Sequence, residues 1–305
     1  MTHSQTILIT GATSGIGRGL ALHLAAAGHH VIASGRGQTA LDALQTEATG
    51  KGLHLETVLL DVTNSASIDA ARDEVDRRTS SKGIDVLINN AGYALYGPLE
   101  VLKNEDIQAQ FETNVFGLLA VTRAFIPHMR ERHAGRIINI SSVMGRVSFP
   151  YTGAYNATKY SVECFSDTLR SELAPFGIQV VIIEPSTTRS GFWKRDTVAL
   201  SKYATADSPY AESLGITERF LRGLETRGVE PERVVRVVER AVEAIHPKAR
   251  YLISFKDRLF LMLFTWSPTR VVDGMKRKAF GLKERPDFAI PDRSHVKPAG
   301  STGLR

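Results

Sequence analysis

The sequence holds a single cysteine, Cys164, which excludes an intramolecular disulfide framework and any metal site built from several thiolates. Its nine histidines show no HExxH or comparable ligand spacing, and the adjacent His29 and His30 point apart, so no metal is expected. No apolar run approaches the roughly 20 residues that a membrane-spanning helix needs. The first five residues lack the basic start of a secretory leader, and the apolar run after them is too short for one. Together with the lone thiol, these absences fit a cytoplasmic protein. A basic body is also missing. The net charge is +6, but residues 246–305 carry 13 Lys/Arg against 5 Asp/Glu, a balance of +8, which leaves −2 for the first 245 residues. Such a body is a poor general nucleic-acid binder.

What is present is ordinary globular composition, 43% hydrophobic and 23% charged over 305 residues. A chain of that length buries a core without staples. Apolar, β-branched runs at 6–10, 30–33, 53–60, 84–88, 136–140, 178–183 and 250–254 alternate with stretches of helix length. The repetition predicts βαβ units and a parallel sheet covered on both faces, since the runs lack the polar alternation of a half-exposed sheet. Right-handed crossovers then give an α/β fold, a doubly wound parallel sheet of the Rossmann type. It is read as one domain over 1–255 with a basic C-terminal extension over 256–305. The last ~20 residues carry Pro, Gly and Ser and are expected to be poorly ordered.

The first strand runs into Thr10-Gly11-Ala12-Thr13-Ser14-Gly15-Ile16-Gly17, where a helical pattern begins. Small residues let the backbone approach a pyrophosphate, and the helix N-terminus offers free N–H groups and a positive dipole end. No Lys follows Gly17 as a nucleoside-triphosphate loop requires, so a dinucleotide is favoured. NAD-binding folds place an acid at the end of the second strand to accept from the ribose hydroxyls. Here that strand ends Ala33-Ser34-Gly35-Arg36. With no acid present, Arg36 would pair with a 2′-phosphate and Ser34 would add a hydroxyl bond, so NADP(H) is expected.

Of the eight tyrosines only Tyr155 has a lysine four residues on, Lys159, within a helical stretch over 153–176. That spacing puts both side chains on one helix face. A nearby ammonium stabilises tyrosinate and so makes proton exchange with a carbonyl or alkoxide oxygen efficient. Ser142, just past the strand ending near Ile140, is placed to hydrogen-bond the same oxygen.

Jointly these pieces resemble the short-chain dehydrogenase/reductase family. Asp61-Val62, Asn89-Asn90-Ala91-Gly92, Asn114, Ser141-Ser142, Tyr155-Asn156-Ala157-Thr158-Lys159, Pro185 and Ser190 follow the glycine loop in family order over residues 5 to about 255. The resemblance implies a catalytic tetrad of Asn114, Ser142, Tyr155 and Lys159, with Asn114 helping to hold a water in a proton relay through Lys159. It also implies that Lys159 bonds the nicotinamide ribose and that Asp61 and Asn89 lie along the adenosine half. The backbone near Pro185 and the Ser190 hydroxyl would meet the carboxamide. Val62, Ala91, Gly92 and Thr188 are counted with the cofactor contacts. Three positions depart from the family pattern: Ser186 stands for the usual Gly, Ser190 for Thr, and Thr158 for Ser. None removes a reacting group.

Residues beside the tetrad, Tyr96, Val143, Met144, Phe149, Phe192 and Trp193, with Ala94, Val147 and Tyr151, are mainly apolar. They predict a pocket for a hydrophobic ketone or aldehyde, or the matching alcohol, of the steroid, retinoid or other lipophilic class. The stretch 187–230 follows a strand's C-terminal end and is read as a lid over the substrate. The apolar run 259–264 with basic flanks is read as packing on the body or a second subunit, in preference to peripheral contact with an anionic membrane. The resemblance implies a homodimer or homotetramer. The alternative to an enzyme is a non-catalytic NADP(H)-binding regulatory protein on the same fold.

Overall fold

The computed structural model describes residues 4–189, 200, 202–205 and 207–282. Seven strands form one sheet: β1 (Thr6–Ile9), β2 (His30–Gly35), β3 (Leu55–Leu59), β4 (Val86–Asn89), β5 (Gly135–Ile140), β6 (Ile178–Glu184) and β7 (Arg250–Leu252). Their order is β3-β2-β1-β4-β5-β6-β7, and every pairing is parallel. Each predicted run supplies one strand. The last is shorter than expected because Ser254 leaves the sheet to cap the next helix.

Alternation along the strands divides the core in two. Ile7, Ile9, Val31, Ala33, Ile138 and Val181 face α1 (Gly15–Ala26) and the valine-rich helix Pro231–Glu243. Leu8, Ile32, Leu87, Ile137 and Val180 face the other way, against Val75 of α3 (Ser65–Arg78) and Val121, Phe125 and Met129 of α5 (Leu118–Glu131). A strand buried on both faces has no polar position to spare, which is why these runs read as continuous apolar sequence. The remaining helices are α2 (Gln38–Gly50), α4 (Asn104–Phe111), α6 (Gly153–Leu173), α7 (Ala211–Arg227), α8 (Pro231–Glu243, as above), α9 (Phe255–Trp266) and α10 (Thr269–Ala279). Strand order reverses between β1 and β4, so their C-terminal ends part and leave a crevice there.

The described part of the extension, 256–282, packs on the body. Phe260, Leu261 and Phe264 of α9 pack on Val143 and Val147, and Phe280 at the end of α10 joins the cluster around Tyr96 and Tyr155. The expected disordered end falls in 283–305, outside the described residues, as do 190–199 of the expected lid.

One buried cation ties α8 to the sheet. The Arg136 guanidinium donates to the carbonyls of Ala241 (2.7 Å), Val242 and Ala244 (2.7 Å) at the end of α8, and to Gln179 Oε1 (2.9 Å). Arg136→Met leaves those carbonyls buried without a donor and is expected to cost about 3 kcal/mol in urea denaturation. A loss under about 1 kcal/mol would show that water replaces the guanidinium.

Candidate active site

The crevice opens into a cavity of about 1360 Å³ that reaches from Arg36 to Phe280. At one end the β1–α1 turn comes within touching distance of β4. A Cβ on Gly17 would lie 2.3 Å from the Gly11 carbonyl oxygen, and one on Gly11 (φ +65°) would lie 2.9 Å from Ala91 Cα. Asn90 holds this approach closed: its Nδ2 donates to the carbonyls of Thr10 (3.0 Å) and Gly11 (3.1 Å), while its backbone N–H and that of Ala91 donate to Thr10 Oγ1 (both 3.0 Å). Helix α1 begins just beyond with no side-chain cap from Ser14 and no acid in its first turn. Its free N–H groups therefore face the cavity, where Gly11, Thr13, Ser14, Gly15 and Ile16 all lie on the wall.

Arg36, exposed, and Asp61 follow along the same wall with Val62, Ala91 and Gly92. Asp61 Oδ1 accepts from the Thr63 hydroxyl (2.7 Å) and backbone N–H (2.9 Å). Those bonds, with a smaller contribution from Arg36, hold the carboxyl below its ordinary range. Two of the expected cofactor contacts are not brought to the cavity wall. Ser34 is buried and gives its hydroxyl to the Ile9 carbonyl (3.0 Å), and Asn89 is buried in the sheet, donating to Thr122 and Asn139 (both 2.9 Å). Both side chains are committed inside the fold and do not line the cavity; Asn90, one residue on, is the one that reaches the loop.

At the centre, α6 carries Tyr155 and Lys159 into the cavity opposite Ser142. Lys159 Nζ donates to the Ile140 carbonyl at the end of β5 (2.8 Å) and lies 5.7 Å from the centre of the Tyr155 ring. Burial lowers the Lys159 ammonium to about 8, partly offset by Glu163 one turn further along α6. Glu163 and Glu184 are themselves raised by burial and are held by Arg250 and Arg146. Ser142 Oγ donates to the Pro185 carbonyl (3.2 Å), which also accepts from the Val143 N–H (3.0 Å). Pro185 and Thr188 border the same space. Asn114 sits in a π-helical turn, Glu112–Gly117, and does not line the cavity. Its amide instead clamps Tyr93, accepting from the backbone N–H (3.0 Å) and donating to the carbonyl (2.7 Å), and donates to Thr158 Oγ1 (3.1 Å).

The far end is apolar. Tyr96, Val143, Met144 and Phe149 line it, and Tyr96 stacks edge-on to Tyr155 at 6.0 Å. Sequence reading missed the opposite wall: Phe220, Leu221 and Leu224 of α7, Phe260 and Phe264 of α9, and Phe280. Their i, i+4 spacings were visible, but not which surface they cover. Ser190, Phe192 and Trp193 fall outside the described residues.

A glycine turn under a helix N-terminus, a Tyr–Lys pair beside a serine and an apolar chamber define a nucleotide-dependent oxidoreductase of the doubly wound class. The profile of the short chain dehydrogenase family matches residues 5–199, and the chain belongs to that family of oxidoreductases. Among its relatives, 3-ketodihydrosphingosine reductase of Bacteroides thetaiotaomicron is 34% identical over 279 residues, 91% of this chain and 97% of the relative. Retinol dehydrogenase 7 of Mus musculus is 34% identical over 278 residues, covering 88% and 86%. The crystal structure of a short-chain dehydrogenase from Streptomyces avermitilis superposes with a TM-score of 0.75 at 31% identity, covering 92% of this chain and 99% of that one.

The buried ammonium makes a signed prediction. Below about pH 8 the folded protein carries a desolvated charge at Lys159 that the unfolded chain keeps in water, so the site destabilises the fold. Stability recovers as pH rises from about 8 toward ~10.4, where the unfolded lysine also loses its proton. Lys159→Met is expected to unfold at a higher temperature than wild type at pH 7, with the gap closing toward pH 10.5. A gap that is constant or widens with pH would contradict a lowered Lys159.

Proposed function

We propose that this protein reduces a lipophilic ketone or aldehyde with NADPH, or runs the reverse oxidation of the matching alcohol. The observation that carries the reading is the single cavity in which Tyr155, Lys159 and Ser142 stand between a phosphate-binding turn and an apolar chamber. The fit to a dinucleotide rests on the uncapped start of α1 and on the glycine turn before it, where Gly11 and Gly17 pack so closely on each other, Asn90 and Ala91 that a side chain at either would clash. The 2′-phosphate preference rests on Arg36 and the lack of an acid after β2.

A bound nicotinamide would supply the hydride to the carbonyl carbon. The Ser142 hydroxyl would orient the carbonyl oxygen, and Tyr155 would give that oxygen its proton. Lys159 would favour the resulting phenolate by its charge and return a proton from the ribose side. Two relatives, a 3-ketodihydrosphingosine reductase and a retinol dehydrogenase, bear names for lipophilic substrates, which agrees with the aromatic lining. The family's habit of assembling through its Tyr-bearing helix supports a homodimer or homotetramer as the working assembly. Helix α7, which borders the chamber through Phe220, Leu221 and Leu224, would serve as part of the lid expected over 187–230.

Three measurements test this reading. Tyr155→Phe should bind NADPH as wild type does yet lose at least about 100-fold in kcat; retained turnover would remove Tyr155 from the chemistry. Along a series of aliphatic methyl ketones, kcat/KM should rise about threefold to fourfold per methylene until the chamber is full. A flat series, or preference for small polar carbonyls, would overturn the lipophilic assignment. Arg36→Asp should lower kcat/KM with NADPH by about 10- to 100-fold and spare NADH. An equal loss with both would mean that Arg36 does not read the 2′-phosphate.

A further inference from the structure

Helix α9 is apolar on two faces. Phe260, Leu261 and Phe264 turn inward to the cavity and to Val143 and Val147. Phe255, Leu259, Met262, Leu263 and Trp266 recur at i, i+4, i+7, i+8 and i+11, a single stripe at about 100° per residue. All five are exposed, Phe255 at 77% and Trp266 at 85%. Val271 and Met275 of α10 are exposed as well.

The charges around this stripe are mostly basic. Lys256 and Arg258 fall on its two flanks. On α10, Arg270, Lys276 and Arg277, with the single acid Asp273 among them, border a second hollow of about 760 Å³ beside Phe149 and Pro150. Over 255–282 there are six Lys/Arg and two acids. The inner face of the same helix is a wall of the substrate chamber, and Met275 and Lys276 lie on the chamber's lining too.

We propose that α9 and α10 dock on the surface of an anionic phospholipid bilayer and that the chamber takes its lipophilic substrate from that side. An apolar stripe flanked by cations and ending in a tryptophan is complementary to acyl chains beneath a layer of phosphate groups. A second copy of this chain fits less well. A twofold contact sets a surface against itself, which would bring the basic flanks together. The delivery half rests on the lipophilic substrate proposed above; the docking half does not, and the test reads docking without turnover.

The test sediments the full chain with phosphatidylcholine vesicles, with and without phosphatidylserine, at low and high salt. Binding to the phosphatidylserine vesicles is expected to exceed binding to phosphatidylcholine by at least about tenfold at low salt and to weaken with salt. Leu259→Asp with Leu263→Asp should reduce it by a further tenfold or more, and Leu259→Ser with Leu263→Ser by less, with thermal midpoints near wild type as the folding control. The proposal is overturned if wild type does not sediment with phosphatidylserine vesicles, or if the Asp pair binds as wild type does. It is also overturned if the stripe proves to be a dimer contact, with wild type dimeric and vesicle-free and the Asp pair monomeric.

Discussion

The bond from the Lys159 ammonium to the Ile140 carbonyl is the constraint on which the site depends. A buried charge with one fixed acceptor cannot drift, because any other position in that dry setting leaves it unsolvated. It anchors α6 to the end of β5, and α6 then grips the loops around it. Asn156 donates to the carbonyls of Met144 and Val147 (both 2.7 Å), which sets the turn after Ser142. Thr158 meets Asn114, which holds Tyr93 after β4. Helix, strand ends and both flanking loops are thus tied to one another around Tyr155. The cost of burying Lys159 is a local instability, which agrees with the proton-transfer role proposed for it.

Much of this was legible in the sequence, and the reasons are physical. The central strands, buried on both faces, write themselves as continuous apolar runs, and the partly buried β3 and β7 still carry enough apolar residues to be seen. The four-residue spacing of Tyr155 and Lys159 is a helical face by geometry alone. Ser34 and Asn89 were placed by motif, and a motif does not say which way a strand side chain points; both turn into the fold. Asn90 is the neighbour that faces the loop. The far wall of the chamber was not legible, since α7, α9 and α10 lie more than 50 residues from Tyr155 in sequence and only packing brings them over it.

The run 259–264 posed a choice between packing and surface contact. Its helix does not choose: three of its apolar residues are inward and the stripe beside them is bare. A helix with apolar residues on two faces has one to bury in the fold and one left over. The chamber and the exposed stripe share α9, so access to substrate and contact with a surface are two properties of the same twelve residues.

The central claim is hydride transfer to a lipophilic carbonyl in this cavity. The most direct measurement supplies NADPH deuterated at C4, in each stereochemical form, with a long-chain ketone and determines the mass of the alcohol formed. One of the two forms should deliver a single deuterium to the carbinol carbon, and the other none. Alcohol without label from either form, or no alcohol from any lipophilic ketone while NADPH binds, would contradict the account.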